Sequence, residues 1–335
     1  MNKIVSIISL FFAGLLSAEP QLTVYSFRHY ESDARLFERF TEETGITVKI
    51  VKSKADTLLE RLKAEGSKTP ADILITSDAG RLHKARSEGL LRPVESDFLN
   101  SRIPSNLRDP EGHWFGFTLR ARVLVYADDR VDTSELEGYA CLAEDKWRGR
   151  ILSRSSSNIY NQSLLASIIA AEGQPAALSW ARSVRQNMAR APQGSDRDQM
   201  RAVAAGLADL ALVNTYYLGL LQHSENAKDR EVAAQLKVFF PNQKDRGTHV
   251  NISGAGLVTH SDNAEAAVRF LEFLASDEAQ SVFSGATYEY PVVEGIQWSA
   301  TQEAWGRFQA DSTHLSTLGE LNALAIRTFN AANWE

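Results

Sequence analysis

From Leu22 onward, short apolar runs alternate with amphipathic stretches. Leu22–Ser26, Ile46–Val51 and Ala71–Thr76 have the length and side chains of buried strands. Between them Ser32–Thr44 and Asp56–Glu65 read as helices, stopped by Gly45 and Gly66. Asp78-Ala79-Gly80 opens a further helix that ends near Gly89. Strands separated by helices of this length predict parallel βαβ units. The run Phe115–Ala127 is too long for one such unit and reads as a crossing into a second lobe.

The scheme then repeats. Gly149–Leu152 reads as a strand, followed by helices over about Asn161–Glu172, Ala176–Met188 and Asp196–Ala205, with Gly206 as the last stop. Strands are predicted at Asp209–Val213 and Lys237–Phe240, and the extended Val250–Val258 returns the chain to the first lobe. The fold class expected is α/β, a two-lobed clamshell. Each lobe is a mixed, mostly parallel sheet flanked by helices, and two crossing hinge strands join them. The boundaries expected are 1–18 for a signal peptide, 19–119 plus 251–291 for the N-lobe, and 120–250 plus 292–335 for the C-lobe.

Met1-Asn2-Lys3, the apolar stretch Ile4–Leu16 and the small residues Ser17-Ala18 make an export signal, with cleavage expected after about Ala18. The stretch is shorter than the roughly 20 residues a membrane span needs. The only cysteine, Cys141, can neither carry a lipid near the start nor close an internal disulfide, so the exported protein is expected free in the periplasm and held by burial alone. A chain of 335 residues with 44% hydrophobic content can do that. A net charge of −6 spread without long single-sign blocks argues against a nucleic-acid partner. A monomer is expected.

In open parallel sheets, ligands bind beyond the carboxyl ends of strands, where helices begin. His29-Tyr30 follows the first strand, Tyr160 follows the loop Ser155-Ser156-Ser157-Asn158, and Tyr216-Tyr217 follows Val213-Asn214-Thr215. A tyrosine pair after a strand is more often packing than chemistry. Three such placements around one cleft are harder to ascribe to packing. Phenolates are hard donors that select small, highly charged cations, and a trivalent ion favours their ionised form. Tyr30, Tyr160, Tyr216 and Tyr217 as phenolates with neutral His29 would give ferric iron five ligands and a net charge of about −1, so no synergistic anion is expected. Arg120 or Arg122 on the crossing strand could offset that excess. Neutral His29 suits either oxidation state, which keeps ferrous iron open as a second cargo, while ionised phenols favour the ferric form.

Tyr25, Tyr126, Tyr139, Tyr288 and Tyr290 read as packing residues. The remaining histidines lack paired spacing, and no phosphate loop, nucleophile elbow or CxxC is present, so an enzyme is not expected. The Ser155–Asn158 loop could instead cradle an oxyanion at a helix start. An oxyanion, polyamine or other small-molecule carrier is therefore the alternative.

Several segments together resemble one family nearly end to end. They are Thr23-Val24-Tyr25-Ser26 before His29-Tyr30, Lys68-Thr69-Pro70-Ala71-Asp72-Ile73, Arg122–Tyr126, Asn214-Thr215-Tyr216-Tyr217, Asn251–Gly256 and Glu289-Tyr290-Pro291-Val292. The chain is similar to the periplasmic ferric-iron-binding proteins of ABC transporters, the bacterial transferrins. The resemblance implies a type II clamshell, iron ligands at Tyr216 and Tyr217, and delivery to an inner-membrane ABC permease. One branch of the family adds a His, a Glu and a bound anion; this chain has Ser77 where the Glu would stand and Tyr160 where the anion would sit. Tyr30 and Tyr160 thus make it similar to the branch with four tyrosines, with His29 as a fifth ligand.

Overall fold

In the computed structural model, which describes residues 20–28 and 31–335, strand β1 (Gln21–Ser26) is buried on both faces after its first residue. Helices cover the sheet on both sides, so even Thr23 and Ser26 are buried there. Strands β2 (Thr47–Lys52) and β3 (Ile73–Ser77) flank it in parallel. The remaining strands are β4 (Leu91–Arg92), β5 (Phe115–Ala127), β6 (Ile151–Leu152), β7 (Leu210–Asn214), β8 (Leu236–Phe239), β9 (Val250–Val258) and β10 (Tyr290–Pro291). The path of pairing runs β2-β1-β3-β9-β5-β7-β6.

The two long strands organise the two lobes. Over Phe115–Ala121, β5 pairs with β9; from Arg122 onward it pairs with β7 and then β8. One strand therefore belongs to both sheets, and its partner changes between Ala121 and Arg122. The approach of β5 to β9 is close enough that a Cβ at Gly254 would lie 2.5 Å from the Phe115 carbonyl oxygen, and one at Gly256 2.4 Å from that of His113. Only glycine fits at those points.

The sheets are mixed, as the strand and helix order implies, but the balance differs from the mostly parallel arrangement expected. Parallel ladders are confined to β2-β1-β3 and β6-β7, whereas β9 and β5 pair antiparallel with every neighbour among the described residues. The reason is topological: strand–helix–strand units enforce parallel pairing, and strands that carry the chain out and back run opposite to those units. The residue pattern predicts no helix beyond residue 262. The structure has five there, including Ala264–Leu274 and Asp277–Thr287. The first packs Phe270 edge-on to Phe37 and Phe40 at 5.2 and 5.1 Å, covering one face of the first sheet.

Among the described residues no helix is long and apolar enough to cross a membrane. The expected signal segment and the pair His29-Tyr30 lie outside the described residues.

Candidate functional site

β7 ends at Asn214, and the helix Thr215–Gln222 begins at once, so Tyr216 and Tyr217 fall in its first turn. Their rings lie 4.2 Å apart, Tyr216 buried and Tyr217 partly so. The helix Ile159–Glu172 is started by Asn158, whose side chain accepts the Tyr160 N–H at 3.1 Å and so occupies a donor an oxyanion would need. That cap sets Tyr160 in the first turn, where its hydroxyl receives the Tyr216 hydroxyl at 3.5 Å. Phenols separated by 56 positions in the chain thus meet at one point.

They line a cavity of about 340 Å³ together with Phe27, Arg28, Ser77, Arg120, Arg197 and Glu289. Ser155, Ser156, Ser157 and Asn158 do not line it. The residues of both sheets face it, which makes it the interlobe cleft. Among the described residues no cluster of three His, Cys, Asp or Glu side chains is arranged to hold a metal.

Three guanidiniums surround those rings. Arg120 lies 5.8 Å from the Tyr160 centroid and 5.7 Å from that of Tyr216, Arg154 lies 5.8 Å from Tyr160, and Arg197 lies 5.8 Å from Tyr217. Burial pushes the Tyr217 phenol well above its ordinary range, with Tyr160 and Asp196 adding to the rise and Tyr216 and Arg154 opposing it. Burial thus favours the protonated form of Tyr217 until a cation arrives, and Arg154 lowers the cost of ionising it.

Arg120 and Arg122, both candidates for charge balance, have different neighbours. Arg120 lines the cavity, hydrogen-bonds Ser253 and stands 3.3 Å from Glu289. Arg122, just past the change of partner in β5, pairs with Asp196 at 2.9 Å and donates to Asn161 at 2.6 Å and Asn214 at 3.2 Å. It braces the first turn of the Tyr160 helix and the end of β7 before Tyr216, and does not line the cavity.

Sequence reasoning missed Arg28, Arg154, Arg197 and Glu289. Buried Glu289 bonds Arg28 at 2.5 Å and accepts from Thr118 at 2.8 Å, while Arg28 also reaches Asp33 at 3.1 Å. Burial alone would lift the Glu289 carboxyl, but Arg28 and Arg120 hold it below the usual range. The signal for Glu289 was its place between two tyrosines read as packing; Arg197, on a separate helix, had none. Of the tyrosines read as packing, Tyr139 is buried with its hydroxyl on the Arg122 carbonyl at 2.5 Å, and Tyr290 packs between Trp298 and Phe308.

Residues 68–306 match the family of bacterial extracellular solute-binding proteins. The chain belongs to that family. Within it, iron uptake protein A1 of Synechocystis is 47% identical over 317 residues, covering 95% of this chain and 88% of the relative. Iron uptake protein A2 of the same organism is 45% identical, covering 94% and 90%. Among solved structures, the Trichodesmium protein FutA (IdiA) in complex with iron and citrate superimposes with a TM-score of 0.92 at 48% identity, covering 94% of this chain and all of that one. Apo FutA2 from Synechocystis gives 0.90 at 44% identity, over 95% of this chain and all of the other. The structural matches show the type II binding-protein fold.

Proposed function

We propose that this solute-binding protein captures ferric iron in the interlobe cleft and delivers it to an inner-membrane ABC permease, working in the periplasm as a monomer without catalytic turnover. The observation that carries the reading is the meeting of the Tyr160 and Tyr216 hydroxyls at 3.5 Å beside Tyr217, in a cavity walled by arginines. The relatives named for iron uptake, and the Trichodesmium structure holding iron and citrate, support it. In this proposal Tyr160, Tyr216 and Tyr217 are ligands, and His29 and Tyr30 complete the set, because Arg28, which precedes them in the chain, lines the same cavity. Arg120 offsets the excess negative charge of the loaded site. The lobes are assigned as 19–119 plus 251–291 and 120–250 plus 292–335, after removal of the signal at 1–18, and ferrous iron is a secondary cargo.

Iron binding requires deprotonated phenols, so uptake releases protons and strengthens as pH rises. Adding ferric salt to the purified protein is expected to give an orange to purple colour from phenolate-to-iron charge transfer, lost on replacing Tyr216→Phe and Tyr217→Phe together. Colourless iron-loaded protein would overturn the assignment. The arginine wall favours one other reading, an anionic small molecule as cargo, and disfavours a polyamine. That reading predicts a rise in melting temperature with citrate or phosphate alone and none with iron.

A further inference from the structure

Asp78 stands at the end of β3 with φ of 81° and ψ of 125°, a backbone conformation a side-chain-bearing residue adopts only under constraint. It is completely buried, and its hydrogen bonds come from three separate parts of the chain. One carboxylate oxygen accepts the Gly80 N–H at 2.9 Å and the Ser163 hydroxyl at 2.8 Å; the other accepts the Asn251 side-chain amide at 3.0 Å. Asn251 in turn receives the Ala79 N–H at 2.8 Å, and the Asp78 N–H bonds the Ile252 carbonyl at 2.8 Å. A single carboxylate thus ties the first sheet and the returning strand β9 to a helix that packs on the other lobe. Ser163 is also completely buried and lies one turn beyond Tyr160 on that helix. Gly80 meets the same helix at Ile159, where a Cβ would come within 3.5 Å of the side chain.

We infer that Asp78 is a positioning residue for iron capture, its bond to Ser163 fixing how far Tyr160 stands from the opposite wall of the cleft. The inference rests on the iron reading. A strained, buried carboxylate whose hydrogen-bond donors are all neutral is costly, and Arg81 and Arg120 offset only part of that cost from nearby. Its contacts have a geometric result. They set a helix start, and with it a phenol, against a sheet of the other lobe, where misplacement of a ligand oxygen by a fraction of an ångström weakens a metal site.

The test compares wild type, Ser163→Ala, Asp78→Asn and the double variant, each loaded from ferric nitrilotriacetate and competed with citrate, with apo melting temperature followed in parallel. Asp78→Asn sets an amide donor against the Asn251 amide, and Ser163→Ala removes one hydroxyl from a helix that is otherwise unchanged. Each is expected to weaken iron binding by roughly tenfold. The double variant should lose less than the sum of the two. In a Tyr160→Phe background Ser163→Ala should cost nothing further, a result that general loss of stability would not produce. Wild-type binding in Ser163→Ala, additive losses, or an undiminished loss in the Tyr160→Phe background would overturn the inference. If wild type itself takes up no iron, the functional reading fails. If wild type and all variants bind alike, only the role of Asp78 fails.

Discussion

Removing the Arg120 charge while keeping a polar side chain, Arg120→Gln, tests the electrostatic account of the site directly. The guanidinium lies 5.7 and 5.8 Å from the rings of Tyr216 and Tyr160. At that range a pair of unit charges in a protein site with effective dielectric near 20 interacts by about 3 kcal/mol. In the proposed site four phenolates around a trivalent ion would leave a net charge of about −1, so the attraction lost on loading is of that single-pair size. Ferric affinity should fall by on the order of a hundredfold. The sign with pH is fixed by the same reasoning: without the neighbouring cation the phenols ionise less readily, so the midpoint of iron uptake moves to higher pH. Competition titration against citrate at several pH values measures both, with the apo melting temperature reporting separately on the fold. An Arg120→Gln protein that binds iron as tightly as wild type with an unmoved pH midpoint would refute the reasoning.

The structure supports three further expectations. Burial, with Arg246 and Arg122 beside it, holds the His249 imidazole down to about 3, whereas the unfolded chain takes up a proton near 6.5; stability should therefore fall as pH drops through that interval, by on the order of 5 kcal/mol, and melting curves of His249→Asn should flatten that dependence. Glu289→Gln leaves Arg28 and Arg120 without their shared carboxylate and should cost about 3–5 kcal/mol, read as a drop of several degrees in melting temperature; because the native carboxyl ionises below its usual range, its contribution in the wild type is present above the ordinary carboxylate pKa and fades on acidification. Gly319→Ala would place a methyl 2.3 Å from the His83 Cβ, so a change that favours helices elsewhere should here destabilise by about 1–3 kcal/mol, visible as a lower urea midpoint.

Much of the secondary structure was legible in the residues. The extended runs at 115–127 and 250–258 coincide with β5 and β9, whose β-branched and aromatic residues outweigh the polar Arg120, Arg122, Asn251 and Ser253 within them. Tyr160 and Tyr216-Tyr217 could be singled out because a strand end followed by a cap or a helix start is a local signal, complete within a few neighbours. The helices after residue 262 were not read, and several are short, such as Ala300–Trp305 and Leu315–Glu320. Their ends are set by caps and packing more than by period.

The sequence by itself determined the class of the fold and the chemistry of the donors, since side-chain type and strand–helix order are properties of adjacent residues. Tertiary structure alone decided that Tyr160 meets Tyr216, that Arg120 rather than Arg122 lines the cleft, that Arg197 joins them, and that Asp78 ties the Tyr160 helix to the opposite lobe. Those facts depend on the register of β5 against two different sheets and on how helices from distant segments pack. No local pattern encodes a distance between residues 78 and 163; it follows only when every intervening element has been placed.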